Sequence, residues 1–145
     1  DLHLSLRRQR QMCIRDSCNT AQCLAERLEN HPKVSWIAYP GLKSYPYRDV
    51  LTKQMSGPGG LIALEIKGGL AAGRVFMNSL NLVTRAVSLG DAETLVQHPA
   101  SMTHATYSAE ERKKHGISDS LIRISVGLET LEDIEFDLLQ ALDNV

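Results

Sequence analysis

The chain has 145 residues, 43% of them hydrophobic, and sixteen basic against seventeen acidic side chains, for a formal net charge of −1. That length supports one ordinary domain with a real core, and the near-neutral balance supplies no field to draw the chain onto nucleic acid or an anionic membrane. No apolar run reaches the ~18 residues of a membrane span and the N-terminus has no apolar signal region, so a cytoplasmic protein is expected.

In chain order, residues 1–17 (DLHLSLRRQRQMCIRDS) are arginine-rich and show no sustained period and no cap before a periodic face. They are expected to be a non-native-looking or disordered segment, and RRQRQMCIRDS resembles translated sequencing-adapter read-through. A basic arm for nucleic acid is the rival reading, but no aromatic side chains interleave its charges. Cys13, Cys18 and Cys23 are odd in number and confined to one stretch, which argues against a disulfide framework. His98, His104 and His115 are too scattered to complete a zinc pattern with them, so no metal is expected.

From Cys18 the pattern is orderly. Ala21, Leu24, Ala25 and Leu28 have helical spacing, and Asn30-His31-Pro32 stops them. Val34 to Tyr39 (VSWIAY) predicts a strand cut off by Pro40-Gly41, followed by a polar stretch with a short helix to about Met55. Ser56-Gly57-Pro58-Gly59-Gly60 lacks the lysine of a phosphate-binding loop and is read as a turn. The alternating strand that starts at Leu61 gives way at Gly68-Gly69 to a helix with Ala72, Val75, Phe76 and Leu80 on one face. A further strand is expected over Leu82 to Ser88, whereas residues 95–107 (LVQHPASMTHATY) show no clear period.

Ser108 and Glu111 have the S-x-x-E form of a capping box, predicting a short helix that ends by Gly116. Thr130-x-x-Asp133 opens a last helix whose stripe of Leu131, Ile134, Leu138, Leu142 and Val145 needs a sheet to lie on. Together these elements predict an α+β fold, a small, mainly antiparallel sheet with helices on one face.

The short strand SLIRISVGL (120–128) carries Arg123 in a largely apolar run. Alternation puts Ile122, Ile124 and Val126 on one face and Leu121, Arg123 and Ser125 on the other. An arginine there can simply snorkel into solvent, or its planar fork can make two parallel hydrogen bonds to a carboxylate. The second use suits an amino-acid ligand.

Several motifs stand in one order over residues 18–145: HPKV at 31–34, YPGL at 39–42, QMSGPGG at 54–60, AVSLGDAE at 86–93, QHPASMTH at 97–104 and LIRISVGLE at 121–129. With them the chain resembles the C-terminal, substrate-binding domain of the cystathionine synthase/lyase family, the pyridoxal 5′-phosphate enzymes of cysteine and methionine metabolism. Within that family it is most similar to the methionine γ-lyases. The resemblance implies a fold-type I domain in which Arg123 clamps the substrate carboxylate, Ser88 and Leu89 lie beside that carboxylate and the cofactor, and Thr103 is a pocket hydroxyl nearby. Ser88 could instead only end a strand, Leu89 only pack, and Thr103 only cap a turn. Relatives that take cystathionine tend to carry a glutamate where Val87 stands, so the apolar residue favours methionine or homocysteine.

The resemblance further implies γ-elimination to a 2-oxo acid, ammonia and a thiol, a small-molecule sulfur amino acid as partner, and a homotetramer at full length. O-acetylhomoserine sulfhydrylases and cystathionine γ-synthases or lyases share several of these motifs and are the alternatives within the family. A free-standing amino-acid-binding regulatory module is the alternative of another class. The family's cofactor-binding lysine, in S-x-T-K, cannot be placed among the lysines at 33, 43, 53, 67, 113 and 114. A truncated chain is therefore expected, inactive alone, with the cofactor held mainly by an upstream domain.

Overall fold

The computed structural model describes residues 2–145, with side chains described from Leu6 onward. In chain order the elements are α1 (Leu2–Glu29), β1 (Val34–Ala38), α2 (Arg48–Gln54), β2 (Leu61–Ile66), α3 (Gly69–Ser79), β3 (Thr84–Arg85), β4 (Leu95–Gln97), a 3₁₀ turn (Pro99–Ser101), α4 (Ala109–Lys114), β5 (Leu121–Ser125) and α5 (Leu131–Asp143). The strands form one sheet in the order β1-β2-β5-β4-β3, in which every neighbouring pair is antiparallel except β3 with β4. The expected α+β class, mainly antiparallel with helices on one face, is the class observed.

The helix expected from Cys18 begins instead at Leu2 and runs through the segment expected to be disordered, Asp1 lying outside the described residues. Its Arg, Gln and Met residues are straight-chained and lose little rotamer freedom in a helix, and no proline or glycine interrupts them. The two halves of α1 differ in what they cover. Ala21, Leu24, Ala25 and Leu28 are all buried, as their spacing predicts, whereas Leu6, Met12 and Ile14 are 45%, 62% and 64% exposed.

The core lies between the sheet and helices α1, α3 and α5. Ile62, Leu64 and Ile66 of β2, Ile122 and Ile124 of β5, and Val96 of β4 meet Leu24, Phe76, Ile134, Leu138 and Leu142 there. Each fully buried aliphatic side chain contributes about 1.5–3 kcal/mol relative to exposure, so this layer dominates the stability of the domain. On α3 the buried stripe is Ala72, Gly73, Phe76 and Met77, while Val75, expected in it, is 42% exposed. Gly73 belongs to the stripe because a Cβ there would lie 2.5 Å from the buried His98 ring.

The strand expected over Leu82 to Ser88 shrinks to Thr84–Arg85. The cause is competition for its backbone groups. Asp137, buried on α5, accepts the N–H of Asn81 (2.8 Å), Leu82 (2.9 Å) and Val83 (2.8 Å), and Arg123 takes the carbonyls of Val87 and Ser88. Only the middle of the segment remains to pair with β4, whose own three residues were too few to show a period.

Both predicted caps form. The Ser108 hydroxyl accepts the Glu111 N–H while the Glu111 carboxylate accepts the Ser108 N–H, and Gly116 at φ 71 ends the turn that follows α4. Thr130 caps α5 by accepting the Asp133 N–H. No described helix is long and apolar enough to cross a membrane.

Candidate functional site

Helices cover one face of the sheet, and the alternate residues of the same strands point to the other. Arg123 sits there at the centre of β5, with Ala63 of β2 as its Cα partner on one side and Gln97 of β4 on the other. Ala63 has no bulk to obstruct the guanidinium, and β5 is braced by a neighbour on each edge, so the arginine rises from a rigid platform rather than from a loop.

Above this platform lies the loop that follows β3. Arg123 Nη2 donates to the carbonyl oxygens of Ser88 (2.6 Å) and Val87 (3.2 Å), and Ser125 Oγ, the next residue on the same face, donates to the carbonyl of Leu89 (3.0 Å). The loop is thus strapped to β5 by two side chains through its backbone, while the side chains of Val87, Ser88 and Leu89 are exposed. Among the described residues Arg123 forms no ion pair, and its Nε is buried without a hydrogen-bond partner.

Thr103 does not touch Arg123. It enters through Gln97, which is 4% exposed: Gln97 Nε2 donates to Thr103 Oγ1 at 2.7 Å, and that hydroxyl lies 2.9 Å from His104 Nδ1. Gln97 Oε1 is the second buried side-chain atom without a partner. Of the residues singled out in the sequence, Arg123, Val87, Ser88 and Leu89 are therefore brought together directly, and Thr103 at one remove. Sequence reasoning missed Gln97. Even a strand recognised over 95–97 would give only its two faces; that Gln97 stands opposite Arg123 comes from the pairing of β4 with β5.

The segment from Gln97 to Asp119 is fixed by a buried histidine and a buried arginine. His98 is fully buried, with Nε2 2.9 Å from the Asp119 carbonyl oxygen and Nδ1 2.7 Å from Ser101 Oγ. A carbonyl only accepts, so Nε2 carries the proton and Nδ1 receives that of Ser101. Burial pushes the His98 pKa below its ordinary value, against the smaller opposing effect of the Asp119 carbonyl, and the ring stays neutral. Arg112 clamps the same segment by donating from Nε (3.1 Å) and Nη2 (2.7 Å) to Asp119 Oδ1 and from Nη1 to the Tyr107 carbonyl.

Two cavities among the described residues lie away from Arg123. One of about 540 Å³ borders Trp36, Tyr45 and Tyr47, another of about 800 Å³ lies between α1 and the Ser56–Gly59 turn, and neither touches Arg123.

A family model described as Cys/Met metabolism PLP-dependent enzyme matches residues 4–143. The chain belongs to that family. Among curated members, an L-methionine gamma-lyase of Pseudomonas deceptionensis is 54% identical over 98% of the chain and 36% of its own length. One of Pseudomonas putida is 58% identical over 86% of the chain and 31% of its own length. Among solved members, the cystathione gamma lyase of Micromonospora echinospora aligns with a TM-score of 0.85 at 40% identity, covering 92% of the chain and 35% of that structure. The cystathionine gamma synthase of Xanthomonas oryzae pv. oryzae, solved with aminoacrylate and cysteine, gives the same values. The chain spans about a third of the length of the curated relatives it matches.

For a family named for pyridoxal phosphate, the placement of the lysines decides what this chain can hold. Lys33 Nζ donates to the carbonyls of Asp143 and Val145 and Lys67 Nζ to that of Pro32, while Lys43, Lys53, Lys113 and Lys114 are exposed. None stands on β2, β4 or β5, so the described residues offer no amine beside Arg123 for the cofactor's aldehyde. They do not fit the cofactor itself.

Proposed function

We propose that this chain supplies the substrate-carboxylate side of a pyridoxal-phosphate-dependent carbon–sulfur lyase that acts on methionine or homocysteine. The single observation that carries the reading is Arg123: a strand guanidinium on the helix-free face of the sheet, bonded only to carbonyl oxygens and paired with no carboxylate among the described residues. A carboxylate is a better acceptor for a guanidinium than a carbonyl, because both partners are charged and the two N–H groups match its two oxygens. An α-carboxylate arriving over β5 would draw the fork from the loop carbonyls, at a position set to within the rigidity of a braced strand.

Fixing the carboxylate fixes one of the three heavy-atom substituents at Cα, which helps to orient the bond that must break. The cofactor would supply the electron sink for that step, held by residues outside this chain. The apolar Val87, 53% exposed on the loop above the platform, suits an uncharged thioether tail better than the ammonium of a longer substrate. The 49–58% identity to L-methionine gamma-lyases, against 40% to two solved cystathionine enzymes, points the same way. We place the domain at 18–145 in a longer cytoplasmic enzyme that works as a homotetramer on a small sulfur amino acid; the three unpaired thiols of α1 are consistent with a reducing compartment.

The test is Arg123→Lys in the full-length enzyme. It keeps the charge but not the fork, and kcat/KM for L-methionine should fall about a hundredfold, the equivalent of one to two charge-assisted hydrogen bonds. An unchanged value would remove the clamp. Release of a thiol and a 2-oxo acid from L-methionine distinguishes elimination from the replacement chemistry of a sulfhydrylase.

A further inference from the structure

Two buried side-chain atoms lack a hydrogen-bond partner among the described residues, and they belong to two residues that face each other across one strand pair. They are Arg123 Nε, an N–H donor, and Gln97 Oε1, an acceptor. Side chains directly opposite in an antiparallel pair have Cβ atoms about 4.5–5.5 Å apart, well within reach of a glutamine and an arginine. A buried donor or acceptor left unpaired forfeits its hydration without a replacement bond, so two complementary orphans side by side call for one explanation rather than two.

We propose that Gln97 is the positioning residue for Arg123. In the state described, Nη2 is bonded to the carbonyls of Val87 and Ser88, and Nε and Gln97 Oε1 are not bonded to each other. When the guanidinium leaves the loop for a ligand carboxylate, Nε–H is received by Gln97 Oε1, and Nη1 and Nη2 remain as an end-on fork. The rest of the relay fixes which end of the amide faces the arginine. With His104 in the Nε2–H tautomer, Nδ1 takes the Thr103 hydroxyl proton; the Thr103 oxygen then accepts from Gln97 Nε2 and the amide oxygen turns toward Arg123. Thr103 thereby acts on the ligand through Gln97, without touching it. The proposal rests on the reading of Arg123 as a carboxylate clamp and deepens it.

The experiment uses the full-length holoenzyme and equilibrium titration with two unreactive probes: L-norleucine, which matches methionine in length but has no sulfur to expel, and L-norleucinamide, which lacks the carboxylate. Gln97→Met keeps the side chain's length and removes the amide. The Kd of norleucine should rise about tenfold, as for one hydrogen bond to a charged group, and that of norleucinamide by less than about twofold. In an Arg123→Ala background the same change should add less than about twofold for either probe. Equal weakening of both probes, or the full effect persisting without Arg123, would overturn the positioning role and leave the clamp standing. Should Gln97→Met fail to fold, Thr103→Val, on an exposed turn, must show the same selectivity for the carboxylate probe, and its absence would be equally decisive. If Arg123→Ala changes neither Kd, the clamp itself fails and the relay with it.

Discussion

Along β5, Ile122 and Ile124 are fully buried against the helices, whereas Arg123 and Ser125 point the other way and bond a loop. The same strands thus carry two surfaces with opposite tolerances. On the helix-covered face the strand side chains of β2, β4 and β5 are apolar and close-packed, and their geometry follows largely from burial. On the other face two buried polar atoms remain unpaired, a condition that a core would not sustain without cost. The difference teaches where to look for function: the packed face sets the position of β5 and the open face uses it.

Substitutions can break this contrast, and the largest stability effect should come from the packed face. Ile124→Ala leaves a cavity among Ile62, Val96 and the helices, and should cost about 2–5 kcal/mol in chemical denaturation, with any loss of activity following the loss of fold. Arg123→Lys should do the reverse, changing unfolding free energy by no more than about 1 kcal/mol while removing most turnover in the full-length enzyme. A large loss of stability in that variant would mean that Arg123 serves the fold by holding the loop.

Asp137 sharpens the comparison, because it is a buried charge on the packed side with every oxygen engaged. It accepts three backbone N–H groups and the Gln140 amide. Burial opposes its ionisation, but these donors outweigh burial and hold the carboxyl below the usual range. Asp137→Asn should cost about 1–3 kcal/mol at neutral pH. Since the folded carboxyl titrates below the unfolded one, its contribution is present above the unfolded pKa of about 3.9 and is lost as pH falls through the lower folded value. The gap between the parent and the variant, followed by denaturation from pH 6 downward, should therefore narrow on acidification; a constant gap would refute the assignment. The smallest effect should be that of Ser108→Ala, which removes the cap of α4 at about 1 kcal/mol and leaves binding at Arg123 unaltered.

Much of this was legible from the residues in order. The alternation of β5 puts Arg123 and Ser125 on one face without any knowledge of neighbours, and both N-caps follow from hydroxyl and carboxylate spacing. Gln97 was not legible, although it stands opposite Arg123. Its strand is three residues long, and three residues carry no period. The helix over residues 2–17 was not legible because an arginine-rich stretch without an apolar face gives no helical pattern, while its residue types still favour a helix that Cys18 onward anchors.

Local chemistry by itself determined the helical stripes, the caps, the turn glycines and the face on which the arginine would emerge, because those depend on periods of 3.6 and 2 and on groups within four residues of one another. Tertiary structure decided the rest. Residues 82–88 have the composition of a long strand, yet Asp137 takes the N–H groups at one end and Arg123 the carbonyls at the other, and two residues are left to the sheet. A backbone group bonds whichever partner the fold delivers, and the partners here lie some fifty residues away on α5 and some thirty-five away on β5.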